Sequence, residues 1–228
     1  MRTSCAVLLG ACLLVSVPAF ADPIAAGDIV QLRLTNNNGS SIARFSDGGP
    51  FRLDLPGTAN DFLTFCLEID EYFTPGENLR VGSISNQALN GGLNTDSGDF
   101  ISGTTAYIYS RFREGDDAFY SNGVLLQEAI WYLENERGTA SAAALNLIST
   151  AQSQMQMIGW GANYIGNVRV LNLYRGAGYT TYAQDMLTVT SSVPEPGMVL
   201  LMGLGFTMAL FVFGRRRVTT CQVGVSGR

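Results

Sequence analysis

The sequence predicts an α+β domain in which antiparallel β-strands surround an inserted helical region. Apolar and polar residues alternate over residues 27–55, helical spacing follows over 105–157, and alternation returns over 167–190. This order of strands, then helices, then strands is typical of an α+β fold. The chain has 228 residues, of which 46% are hydrophobic, so we expect one folded domain of ordinary size at 22–190.

Turn signals separate the predicted strands. Residues 36–39 (Asn-Asn-Asn-Gly) and 47–50 (Asp-Gly-Gly-Pro) interrupt the first alternating stretch, which indicates short antiparallel strands. The next strand surrounds Cys66, and Thr74-Pro75-Gly76 terminates it. Beyond the first stretch, the predicted strands lie at 62–70, 78–84, 167–174 and 183–190.

The helical region follows a Gly/Asn/Asp-rich loop at 90–97. Helices are predicted at 105–113 and 123–137, because apolar residues recur at helical spacing in both stretches. A third, alanine-rich helix is predicted from Ala142 to about Met157, with Ser141 as its N-cap.

Two residue types are absent from the chain, which contains neither lysine nor histidine. Without histidine, nucleophile–histidine pairs and the commonest zinc ligand are excluded. The acidic residues Glu68, Asp70, Glu128 and Glu134 show no spacing that singles out a general acid and base. The net charge of -5 argues against nucleic-acid binding. The sequence therefore predicts neither a conventional enzyme nor a metal or cofactor site.

The first 21 residues have the pattern of a secretory signal peptide. Arg2 precedes an apolar run at 5–17, and Ala19-Phe20-Ala21 forms a small-residue cleavage site. We therefore predict a signal peptide at 1–21 and an exported mature chain.

The C-terminal segment combines three features. Val193, Pro194, Glu195 and Pro196 precede an uncharged apolar run at 197–214, and Arg215, Arg216 and Arg217 follow it. The run predicts a transmembrane segment at 198–214, with the arginines and a short tail at 218–228 on the cytoplasmic side.

This segment, at 191–217, resembles the PEP-CTERM sorting signal, which an exosortase recognises in Gram-negative bacteria that make exopolysaccharide. The resemblance implies a transient inner-membrane intermediate, cleavage near Pro194-Glu195-Pro196, and delivery to the cell surface or extracellular matrix. A permanent single-span anchor is the alternative.

Cys66 is the only thiol expected in the mature domain. Cys5 and Cys12 leave with the signal peptide, and Cys221 lies in the sorting tail. A lone cysteine in an oxidising compartment is either buried, paired between chains or chemically committed. Gln127, among apolar residues near the start of a predicted helix, offers a partner. Attack of the Cys66 thiolate on its carboxamide would expel ammonia and form a thioester.

The motifs Phe65-Cys66-Leu67 and Gln127-Glu128-Ala129-Ile130-Trp131 resemble those of bacterial thioester domains. The resemblance covers most of 27–190 and implies a Cys66–Gln127 cross-link in a single thioester-type domain. It also implies an adhesin-like function, in which an amine or hydroxyl on a surface or matrix partner attacks the acyl carbon. In related Gram-positive adhesins the nucleophile is a lysine amine on a host protein.

Four residues are predicted to shield or assist this thioester. Trp131 falls one helical turn after Gln127 and would exclude water, while Phe65 flanks the sulfur from the opposite strand face. Glu68 and Asp70 share the strand face of Cys66, so either could accept a proton from an incoming amine. The absence of lysine fits a reactive acyl group, although a general preference for arginine would also produce it.

The same residues admit a plainer interpretation. Cys66 would be a buried small hydrophobe and Gln127 an exposed residue of an amphipathic helix. The protein would then be a passive extracellular matrix or carbohydrate-associated protein. Aromatic residues could stack on sugars in that case, although most are expected in the core: Trp160, Tyr164, Tyr174, Tyr179 and Tyr182.

Overall fold

The computed structural model describes residues 24–35, 48–58, 61–89, 99–120 and 122–190. The described residues belong to one compact unit of the chain, 1–191. The predicted signal peptide, the sorting segment with its span at 198–214 and the tail at 218–228 lie outside the described residues. Within the described ranges, no helix has both the length and the apolar character that crossing a bilayer requires.

An antiparallel sheet forms the framework of the domain. Its strands run in the order β3-β2-β1-β4-β7, and both β8 and β9 pair with β7. A separate two-stranded ribbon joins β5 and β6. The strands are β1 (Ile29–Leu34), β2 (Phe51–Asp54), β3 (Asp61–Thr64), β4 (Leu79–Ser85), β5 (Gln87–Ala88), β6 (Asp99–Phe100), β7 (Val168–Arg175), β8 (Thr181–Tyr182) and β9 (Met186–Val189).

The two ends of the sheet meet beside Cys66. Cys66 forms an antiparallel bridge with Met186 at the start of β9. The Leu187 N–H donates to the Phe65 carbonyl at 3.1 Å. The segment that follows β3 therefore pairs with β9, and the sheet nearly closes into a barrel.

The helical region lies between β6 and β7, as predicted. It contains α1 (Gly103–Arg113), α2 (Asp117–Tyr120), α3 (Gly123–Leu133) and α4 (Ala142–Ile158). The predicted N-cap is confirmed, because the Ser141 side chain accepts a hydrogen bond from the Ala144 N–H. The structure thus confirms a domain of antiparallel strands with inserted helices.

Two predicted boundaries were wrong. The helix predicted to reach residue 137 ends at Leu133, and Asn135 adopts a left-handed φ of 62°, which breaks helical geometry. The strand predicted at 62–70 ends at Thr64. The backbone beyond Thr64 leaves β2 and pairs with the segment before β9, where the Leu67 N–H donates to the Asp185 carbonyl at 3.1 Å. This change of partner ends the regular ladder.

The segment around Cys66 separates two hydrophobic cores. Phe65 and Leu67 belong to the core that the helices build against one side of the sheet. Cys66 points the other way, into the core that the sheet strands share with Trp131. The alternation expected of an extended backbone therefore persists here although the strand has ended.

Candidate functional site

The side chain of Gln127 on α3 is held against the backbone of Cys66. The Cys66 N–H donates to Gln127 Oε1 at 3.0 Å, and Gln127 Nε2 donates to the Cys66 carbonyl at 2.8 Å. Both residues are buried. The structure thus brings together the two residues that the sequence paired, and the two hydrogen bonds fix the orientation of the carboxamide.

The loop before β2 completes this arrangement. The Gly49 N–H donates to Gln127 Oε1 at 2.9 Å. Gly48 has a φ of +78°, and a Cβ built on it would lie 2.8 Å from both Gln127 Cδ and Trp131 Cη2. Only glycine fits at position 48, because a side chain would displace the carboxamide.

Sequence reasoning interpreted residues 47–50 only as a turn, so it missed the contribution of this loop to the site. The available signal was the pair Gly48-Gly49, since adjacent glycines permit a backbone to approach another group closely.

The two backbone N–H groups give Gln127 Oε1 the surroundings of an oxyanion hole. Both donors converge on one carbonyl oxygen in a buried site. Preorganised donors of this kind polarise the carbonyl and stabilise the negative charge that develops on its oxygen when a nucleophile attacks the carbon. The arrangement is therefore chemically suited to acyl transfer at Gln127 Cδ.

A cavity opens next to Cys66. It encloses about 340 Å³, including solvent at its mouth. Tyr72, at 64% exposure, forms part of its rim, so the cavity connects the buried thiol region with solvent. Its lining residues are Gly48, Phe51, Cys66, Ile69, Glu71, Tyr72, Phe73, Trp131 and Gln184.

Trp131 and Phe65 lie on opposite sides of the Cys66 backbone. Trp131 lines the cavity, and its buried indole N–H finds no hydrogen-bond acceptor among the described residues. Phe65 packs in the helical core, with its ring 4.9 Å from that of Phe112 in an edge-on arrangement. Trp131 is thus placed to limit water access to the cavity, whereas Phe65 packs on the opposite side of the backbone, in the helical core.

Burial dominates the electrostatics of the site. It raises the pKa of the Cys66 thiol well above its usual value, and the nearby Glu71 carboxylate raises it further. Burial and the neighbouring Asp185 raise the pKa of Glu71 to about 9. Both groups therefore hold a proton at neutral pH. Sequence reasoning did not identify Glu71, which lies beside Cys66 only because the segment after residue 68 turns.

Glu68 and Asp70, predicted to assist at the thioester, are not among the described residues that line this cavity. They lie instead in a cluster with Glu136. Burial, followed by the charges of Glu136, Asp99 and Glu71, raises the pKa of Glu68 to about 9. This second acidic group was not visible in the sequence, because Glu136 is distant along the chain.

The aromatic residues considered for sugar stacking are more exposed than predicted. Tyr164, Tyr179 and Tyr182 are exposed, and Trp160 and Tyr174 are half-buried, so the expectation that most lie in the core was wrong. Tyr174 contacts two of the others, with ring centroids 5.6 Å from Tyr179 and 5.1 Å from Tyr182. Of these three residues, Tyr182 lies in the short strand β8 and Tyr174 in β7.

Comparison with protein families finds the PEP-CTERM protein-sorting motif at residues 192–217. Comparison with curated proteins and with solved structures gives no significant match. The motif includes Pro194-Glu195-Pro196 and the three arginines at 215–217, as the sequence predicted. The chain is therefore an exosortase substrate, exported and sorted through a membrane toward the cell surface or matrix.

Proposed function

We propose that Cys66 and Gln127 form an internal thioester, through which this exported protein attaches covalently to a surface or matrix partner. The observation that carries the proposal is the placement of the Gln127 carboxamide. Its oxygen accepts hydrogen bonds from the backbone N–H groups of Gly49 and Cys66, and its nitrogen donates a hydrogen bond to the Cys66 carbonyl.

Thioester formation would be an acyl transfer within the chain. The Cys66 sulfur attacks Gln127 Cδ, and the negative charge on Oε1 is stabilised by the two N–H donors. Collapse of the tetrahedral intermediate breaks the carbon–nitrogen bond, and ammonia leaves with the proton from the thiol. Glu71 lines the same cavity and holds a proton at neutral pH, so it is a candidate to relay protons between sulfur and nitrogen.

Attachment to the partner would be a second acyl transfer, in which the Cys66 sulfur is the leaving group and no longer the nucleophile. An amine or hydroxyl of the partner attacks the acyl carbon of Gln127, and Cys66 leaves as a thiol. The product is an amide or ester to Gln127, so each molecule reacts once and is not a turnover enzyme. The chain has no lysine, so its only amine nucleophile is the N-terminus.

The intact mass of the exported protein tests this proposal. We expect a mass short by one ammonia, and addition of methylamine should raise the mass by one methylamine while releasing one thiol. Cys66→Ala and Gln127→Ala should each give the full calculated mass and no methylamine uptake. A full mass for the unmodified chain, with a free thiol and no uptake, would overturn the proposal.

A second candidate function is non-covalent association with matrix polysaccharide. The specific observation in its favour is the cluster of Tyr174, Tyr179 and Tyr182, in which the latter two are 40% and 49% exposed. Exposed aromatic rings stack on the apolar faces of sugars. Retention on exopolysaccharide that survives Cys66→Ala but is lost in Tyr179→Ala and Tyr182→Ala would support it. Retention unaffected by the tyrosine substitutions would exclude this surface.

A further inference from the structure

Three carboxylates from two distant parts of the chain converge near the segment that follows Cys66. Glu68 and Asp70 follow β3, and Glu136 follows α3. One carboxylate oxygen of each residue lies within 4.8 Å of the other two. Glu68 and Glu136 are buried and Asp70 is exposed, so the group has one side open to water.

The Glu68 side chain has one polar atom that is unsatisfied among the described residues. The residue is only 1% exposed, and its Oε2 has no hydrogen-bond partner among the described residues. A buried carboxylate oxygen without a partner is unfavourable, because it has lost its hydration and gained nothing in return. A cation placed among the three carboxylates would supply the missing interaction.

The chemistry of the three ligands selects the type of cation. All three offer carboxylate oxygen, which suits hard divalent ions. Calcium accepts six to eight oxygen ligands in irregular geometry, including water, whereas magnesium demands a near-ideal octahedron. Two buried carboxylates and one exposed carboxylate, with water completing the shell on the side of Asp70, match the calcium pattern. We infer that Glu68, Asp70 and Glu136 bind one calcium ion.

An ion at this site would connect two parts of the chain. Glu68 and Asp70 lie in the segment that begins with Cys66, and the Glu136 N–H donates to the Trp131 carbonyl at 2.8 Å at the end of α3. The Ile69 N–H already donates to Glu136 Oε2 at 3.2 Å. Calcium would therefore fasten the Cys66 segment to the end of the helix that carries Gln127.

Calcium titration of the chelator-treated exported protein tests this inference. Calcium sites of extracellular modules have dissociation constants of about 10⁻⁴–10⁻³ M, so calcium chloride at about 10 mM should saturate one site per chain. At a calcium concentration of about ten times Kd, the Tm should rise by about 3–6 °C. Isothermal titration calorimetry should give a stoichiometry of one.

Asp70→Asn is the decisive variant, because Asp70 is exposed and its replacement does not disturb the core. It should weaken calcium binding at least tenfold, and Glu136→Gln should abolish the Tm rise. Glu114→Gln, which removes an exposed carboxylate at the end of α1, is the matched control and should respond like the unmodified chain. Cys66→Ala should also keep the response, which separates this site from the thioester.

Three results would overturn the inference. They are no calcium-dependent rise in Tm for the unmodified chain, an undiminished rise in Asp70→Asn, or a response to magnesium without a response to calcium. If Glu136→Gln fails to fold, as far-ultraviolet circular dichroism would show, the titrations of the unmodified chain and of Asp70→Asn decide the question.

Discussion

Replacing Gly48 by alanine tests whether thioester formation depends on the position of the Gln127 carboxamide. Comparison with a control variant separates this effect from a general loss of stability. The added Cβ would lie 2.8 Å from Gln127 Cδ and from Trp131 Cη2, distances that real Cβ atoms do not tolerate. Either the carboxamide moves off its two N–H donors, or the loop that carries Gly49 moves away. In both cases we expect the loss of the ammonia-deficient form that the proposed thioester implies.

The size of the effect on stability follows from two contributions. A left-handed conformation costs an L-residue about 1–2 kcal/mol. Overpacking a buried contact adds about 1–3 kcal/mol. For a protein of this size each kcal/mol shifts the Tm by about 2–4 °C, so Gly48→Ala should lower it by about 4–20 °C.

Gly57→Ala is the matched control, because Gly57 has a φ of +83° and a Cβ there would meet nothing within 4 Å. Gly57→Ala introduces the same left-handed backbone strain without a steric clash at the added Cβ, so it should lower the Tm by about 2–8 °C. Intact mass and differential scanning calorimetry on both variants measure the difference. Equal losses of Tm in the two variants, with an unchanged ammonia-deficient fraction in Gly48→Ala, would refute this account of the loop.

Three further predictions concern buried groups around the site. Trp131→Ala should lower the free energy of unfolding by about 3–5 kcal/mol and shorten the lifetime of any thioester in water. Trp131→Phe should retain most of the stability and most of the lifetime. Urea melts measure the first quantity and mass spectra the second. Burial raises the pKa of Asp185 well above its usual value. The contribution of Asp185 to the free energy of unfolding is therefore fully present below the unfolded pKa of about 3.9, and it is lost as the pH rises toward the folded-state pKa. The free energy of unfolding should therefore fall with rising pH, and Asp185→Asn should flatten this slope; an unchanged slope would contradict the assignment. The buried Glu134 carboxylate accepts hydrogen bonds from Ser102 and Thr105 at the start of α1, so Glu134→Ala should cost about 1–3 kcal/mol in urea melts, against a near-neutral exposed Glu114→Ala control.

Much of the fold could be predicted because its signals are local. The N-cap at Ser141 and the helical spacing after residue 123 depend on neighbours within a few positions, and both were confirmed. The end of the strand at Thr64 was missed because it depends on a change of partner to the segment before β9. Strand ends in a nearly closed sheet are set by tertiary pairing, which no local pattern records.

The candidate site divides in the same way. The sequence supplied Cys66, Gln127 and Trp131, because they lie in the two contiguous motifs, at 65–67 and 127–131, that resemble those of thioester domains. It could not supply the N–H groups of Gly49 and Cys66 that converge on Gln127 Oε1, since these are backbone groups brought together by folding.

By itself, the sequence determined the export route, the sorting motif and the order of strands and helices. Each of these is written in contiguous residues, including the match at 192–217. Only the tertiary structure decided which acids accompany the thiol. It placed Glu71 in the cavity with Cys66, and it grouped Glu68 and Asp70 with Glu136. The physical reason is that burial and charge proximity, which set the chemistry of a carboxylate, depend on distances in space and not along the chain.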